Sequence, residues 1–131
     1  MKLNFTISEL LKSDVANRAG IKNIPADIKT LDNLMELIVS CLQPIRNYIG
    51  KPMVINSGFR TPVLNNMVGG VANSQHIQGY AADFVIQGLT IDEIIQKIKA
   101  SGVEYDQLIH EGSWVHISYV KGKNRKQFLK V

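Results

Sequence analysis

The sequence predicts an α+β fold in which helices pack on a small antiparallel sheet. Apolar residues recur at three- and four-residue steps from about residue 30 to 45 and again from 91 to 98, the period of a helix with one buried face. Segments 80–86, 105–110 and 114–120 are alternating or apolar-rich and read as strands. No repeat, low-complexity stretch or linker interrupts the 131 residues, so the elements are assigned to a single domain, residues 1–131.

Residues 6–19 read as a first helix, opened by Thr6 with Glu9 in capping-box spacing and released at Gly20. Residues 21–29, with Pro25, read as loop. A longer helix follows from about Thr30, with Leu31, Leu34, Ile38, Cys41, Leu42 and Ile45 as its core stripe. Pro44 removes a backbone donor and predicts a kink or division near Gln43. Gly50 closes the element, 51–56 reads as a strand, 57–62 as a turn, and a loop rich in Gly and Asn runs on to Ser74. Thr90 and Glu93 form a capping box for a helix that ends at Ser101-Gly102. The strands around Gly112-Ser113 suggest a hairpin, and 128–131 a final short strand.

A chain of 14.6 kDa buries enough surface to fold without structural metal, so a metal here points to chemistry. No apolar run approaches bilayer length, and no membrane partner is expected. The N-terminus lacks an apolar segment with a small-residue cleavage site, which predicts cytosolic synthesis. Cys41 is the only cysteine and reads as a small buried hydrophobe, excluding a disulfide framework. The net charge of +4 is concentrated in a basic tail at 121–126, whose simplest reading is a solvated turn. Basic-aromatic interleaving is absent, so no nucleic-acid partner is expected, and the chain is expected to be a monomer.

Two of the three histidines sit where a metal could be held. His76 follows the Gly/Asn-rich loop and Asp83 lies seven residues later, beyond Gly79. On a strand from Tyr80, residues 81, 83 and 85 share a face, and small Ala81 leaves room beside Asp83. His116, central in the last hairpin, points to the same cavity. Two imidazoles and a carboxylate suit zinc and leave a fourth position open for water, although the spacing alone is weak evidence and fits hydrogen-bonded structural residues better. If Gly112-Ser113 is the turn, Ile109 pairs with His116 and Glu111 lies diagonally beside it, as general acid/base candidate or as a solvated acid at a hairpin end. His110 then points to the opposite face as a surface or second-layer residue. Arg60 offers a fork of donors for an oxyanion or a substrate carboxylate, or is an exposed loop arginine.

Ser74-Gln75-His76-Ile77-Gln78-Gly79-Tyr80-Ala81-Ala82-Asp83 resembles the S-x-H-x-x-G-x-A-x-D motif of zinc D-alanyl-D-alanine carboxypeptidases and phage L-alanyl-D-glutamate endopeptidases. Trp114-Val115-His116 is similar to that family's closing metal motif, and Ser57-Gly58-Phe59-Arg60-Thr61-Pro62 to its arginine-bearing turn. The resemblance implies zinc on His76, Asp83 and His116, catalysis with Arg60, and Arg60, Ser74 and Trp114 near a peptidoglycan peptide substrate. It also implies the fold shared with the hedgehog signalling domain. Many relatives carry the catalytic acid three residues before the last histidine, where this chain has Ser113, which leaves Glu111 as the catalytic acid/base or the chain as a non-catalytic zinc module that binds the wall or builds a phage particle. Without a signal, an enzyme of this kind is expected to reach the cell wall on phage lysis or on a phage particle.

Overall fold

The computed structural model describes residues 2–131. Helices α1 (Ile7–Leu11) and α2 (Asp14–Ala19) replace the single helix expected over 6–19. The chain is extended at Lys12, and the Ser13 side chain accepts from the Ala16 amide, restarting the helix. Thr6 accepts from the Glu9 amide at 3.2 Å. Helix α3 (Ile28–Leu37) begins two residues before the expected Thr30 because Asp27 caps it through the Thr30 amide.

The long helix is divided at Gln43, as Pro44 predicts, but without a break in the chain's helical course. A π-helical turn over Ile38–Leu42 joins α3 directly to α4 (Gln43–Ile49), with the Gln43 amide donating to Ile38 five residues back. Widening the helix there removes the clash that a proline ring makes with the carbonyl four residues before it, and Pro44 sits in the first turn of α4, where its missing donor is not needed. Leu34, Ile38, Cys41, Leu42 and Ile45 are fully buried as expected, but Leu31 is exposed.

Strand β1 (Val54–Ser57) precedes α5 (Pro62–Met67), a helix within the stretch expected to be turn and loop. Its signal was Thr61-Pro62: Thr61 caps through the Leu64 amide and Pro62 fills the first turn. Strand β2 (Ala81–Val85), helix α6 (Ile91–Ser101), and strands β3 (Gln107–His110), β4 (Val115–Ser118) and β5 (Gln127–Lys130) complete the chain. Both hydrogen bonds of the Thr90/Glu93 capping box are present.

The sheet order is β1-β2-β4-β3-β5. All pairs are antiparallel except β3 with β5, which runs parallel, so the sheet is mixed rather than wholly antiparallel. The loop after β4 carries the chain past β3, and β5 enters in the same direction as its neighbour. Helices cover one face, where Ala82, Phe84, Leu108, Val115 and Ile117 meet the α3–α4 stripe and Ile94, Ile95 and Ile98 of α6 in one contiguous core. Each fully buried Leu or Ile there contributes about 2 kcal/mol. His110 shares this inner face and is buried, with Nε2 3.3 Å from Asp92 of α6 and Nδ1 accepting from the Gly112 amide. Because side chains alternate along strands, Asp83, His116 and Ile109 point to the other face.

Candidate metal centre

Asp83 and His116 are direct cross-strand partners in β2 and β4, and Ile109 lies opposite His116 on the next strand. Neighbouring side chains on one sheet face stand close enough to touch, and His116 Nδ1 donates to Asp83 Oδ1 at 2.8 Å. A β-bulge at the end of β1 sets Ser57 opposite Asp83, turning the following residues across this face.

His76 reaches the same point from a tight turn. The Ile77, Gln78 and Gly79 amides donate to Ser74, Gln75 and His76, and the Ser74 hydroxyl accepts from the His76 amide at 3.2 Å. Gly79 has φ +79°, and a Cβ there would come within 2.7 Å of the Thr30 carbonyl, so only glycine lets the turn rest on α3. The Gly58 carbonyl accepts from His76 Nδ1 at 2.7 Å. A carbonyl cannot donate, so Nδ1 holds the proton and Nε2 presents its lone pair, 3.4 Å from Asp83 Oδ2. The His76 and His116 rings meet edge to face with centroids 5.1 Å apart.

One ligand atom each from His76, Asp83 and His116 lies within 4.8 Å of the others. Burial alone would raise the Asp83 carboxyl, but the His116 hydrogen bond and the adjoining His76 ring hold it well below the usual carboxylate range. Two imidazoles, an ionised carboxylate and a ring fixed from behind by a carbonyl are the donor set and outer support of a catalytic zinc site. The residues fit the ion.

Arg60 flanks the trio. Its Nη2 lies 3.4 Å from Asp83 Oδ2, Nε donates to Ser57 at 3.1 Å and Nη1 to the buried Asn65 at 3.1 Å. Burial lowers its pKa while Asp83 opposes that shift. The Arg60 amide also donates to the His76 carbonyl, tying its loop to the histidine turn. Asn65 was not singled out in the sequence; its side chain holds both Arg60 and the Val71 carbonyl, and a lone asparagine in an Asn-rich stretch carries no readable signal of that.

Glu111 follows β3 on the face of His116, and its amide donates to Trp114 across the hairpin end. Its carboxylate makes no hydrogen bond among the described residues and does not join the trio. Trp114 is 37% exposed. A cleft of about 600 Å³ is lined by His116, Ser74, Gln75, Gln78, Gln107 and Arg125. Gln75 and Arg125, both missed in the sequence, meet on Asp106: Gln75 donates at 2.8 Å and Arg125 through Nε and Nη2 at 2.8 Å each.

A sequence profile of the Peptidase M15 family matches residues 3–118. The chain belongs to this family. The match takes in His76, Asp83, His116, Arg60 and Glu111 and stops before Arg125 and β5. A zinc D-Ala-D-Ala carboxypeptidase from Streptomyces albus G is 49% identical over 43 residues, 32% of this M15 chain. The chain covers 17% of that relative's length. Among the described residues no helix is long and apolar enough to cross a membrane.

Proposed function

We propose that this chain is a zinc peptidase that hydrolyses amide bonds in bacterial peptidoglycan stem peptides. The observation that carries the reading is the convergence of His76, Asp83 and His116 within 4.8 Å, beside Arg60 and with His116 lining an open cleft. Family membership and the partial likeness to a zinc D-Ala-D-Ala carboxypeptidase support it.

His76 Nε2, the Asp83 carboxylate and His116 hold the ion. When bound, zinc polarises the scissile carbonyl and lets water attack at neutral pH. Glu111, on the same face one hairpin position from His116, takes the proton of the attacking water and returns it to the leaving amine. Asp83 stays ionised because His116 donates to it and Arg60 lies beside it. Arg60 steadies Asp83, and its Nη2, at 3.4 Å the longest of its three side-chain contacts, is the arm that turns to negative charge on the reacting carbonyl. Ser74 sets the His76 turn at the cleft wall, and the exposed Trp114 ring supplies an apolar surface for the peptide.

The motif likeness to phage endopeptidases supports a role as a phage or prophage lysin, acting at the wall after lysis or from a phage particle. Incubating zinc-loaded protein with purified peptidoglycan, with and without a chelator, and identifying products by mass spectrometry tests the activity. Fragments that disappear with chelator are expected. Binding to the wall with no fragment under either condition would replace hydrolysis by the second reading, a zinc-holding binding module, which the isolation of the Glu111 carboxylate from the trio favours.

A further inference from the structure

The cleft lined by His116 is also lined by a guanidinium whose position is built rather than incidental. Asp106 is buried, at 2% exposure, and its two oxygens grip Arg125 in a fork, Nε on Oδ1 and Nη2 on Oδ2 at 2.8 Å each. The Arg125 amide adds a third bond to Oδ1 at 3.0 Å. Two parallel charge-assisted bonds fix a guanidinium in plane and direction. The fork uses Nε and Nη2 and leaves Nη1 with no acceptor among the described residues, on a side chain 58% exposed and lining the cleft.

A second unspent group lies in the same wall. Asp106 accepts from Gln75 Nε2, which fixes the amide's orientation, and Gln75 Oε1 is then the one buried side-chain oxygen or nitrogen without a partner among the described residues. The exposed donor edge of Arg125 complements a ligand that carries a carboxylate. Arg60, the other arginine near the trio, faces Ser57, Asn65 and Asp83 and does not line this cleft.

We propose that Arg125, held on the cleft rim by Asp106, is a specificity-determining residue that binds a carboxylate of the peptide substrate through Nη1. This rests on the reading of the chain as a peptidoglycan peptidase. Asp106 neutralises the guanidinium's charge, so recognition comes from the directed Nη1 donors, with Lys123 and Lys126 on the same segment keeping it positive.

The test compares two synthetic stem peptides, one with free carboxyl groups and one with each converted to the carboxamide, binding to zinc-loaded wild-type protein by calorimetry. The free-carboxyl peptide should bind about tenfold more tightly or better. The preference should vanish in R125A and return in part in R125K. Equal affinities in the wild type, no measurable binding of either peptide, or a preference that survives in R125A would overturn the proposal. Equal wild-type affinities overturn the proposal even if R125A disturbs the loop. Cleavage of the same peptides is scored separately: a carboxylate preference in binding without turnover supports Arg125 and sinks hydrolysis, while turnover without preference does the reverse.

Discussion

His76 Nδ1 lies 2.7 Å from the carbonyl oxygen of Gly58, eighteen residues earlier. The contact depends on glycine at 58 for a reason unrelated to metal. A Cβ there would meet the Leu10 backbone, 2.9 Å from its Cα, where Phe59 also donates to the Leu10 carbonyl. Helix α1 and the metal turn are therefore fixed against the two sides of one residue. Gly58→Ala is expected to cost about 2 kcal/mol of stability by overpacking and to weaken zinc binding about tenfold by moving the carbonyl that aims Nε2. Denaturant melts and competition with a zinc-responsive dye measure the two effects. Unchanged zinc affinity in a variant that is destabilised would show that the carbonyl does not hold the ring.

Asp83 is the hub of the trio, since His116 and Arg60 bond to it and His76 Nε2 lies 3.4 Å away. Asp83→Asn keeps the shape and removes the charge. Zinc should then be lost in a dialysis that the parent survives, read by elemental mass spectrometry. In chelator, where no ion contributes, the variant should be less stable by about 2 kcal/mol, because Arg60 is left without its buried counter-charge. A variant that keeps its zinc through dialysis would remove Asp83 from the ligand set.

Much of this arrangement was legible in the sequence because it follows from short-range rules. Strand alternation put Asp83 and Ala81 on one face, and a two-residue turn at Gly112-Ser113 put Ile109 opposite His116, the register observed. What was not legible depends on long-range packing. The π turn that accommodates Pro44 is stabilised by burial of Ile38, Cys41 and Leu42, and no local propensity marks it. Strand β5 lies parallel to β3 because Asp106 and Tyr105 accept backbone bonds from Gln127 and Lys126, a pairing that sequence separation hides. Helix α5 was missed although Thr61-Pro62 is an N-terminal signal, since the Asn and Gly that follow obscured it. His110 faces α6 rather than solvent, as the same register required once α6 covers that side.

Glu111 carries the expectation most exposed to test. Replacing its carboxylate with an amide leaves the hairpin intact, since only the Glu111 backbone bonds to Trp114. Glu111→Gln is expected to lower kcat by about 10²–10⁴-fold with zinc content unchanged, the range for loss of a general acid/base. Single-turnover cleavage of a defined muropeptide and zinc quantification of the same sample check it. A variant with full activity would move the base elsewhere.

Asp106 makes the clearest link between the cleft wall and pH. The Arg125 hydrogen bonds lower its carboxyl first, burial opposes them, and Gln75 adds to the lowering, bringing it from 3.8 to about 2. The folded state therefore binds fewer protons at this group than the unfolded chain between those values. A carboxyl lowered by folding stabilises the protein above its unfolded pKa, and that contribution drains away as pH falls from about 4 towards 2. Each proton taken up on unfolding gives a slope of about 1.4 kcal/mol per pH unit. Asp106→Asn should thus be less stable than the parent at pH 7, yet lose less stability between pH 4 and 2, and the two curves should converge at the acid end. Urea melts of chelated protein across that range measure the difference. Parallel curves would mean that Asp106 titrates alike folded and unfolded, and the fork that holds Arg125 over the cleft would then not be formed in solution.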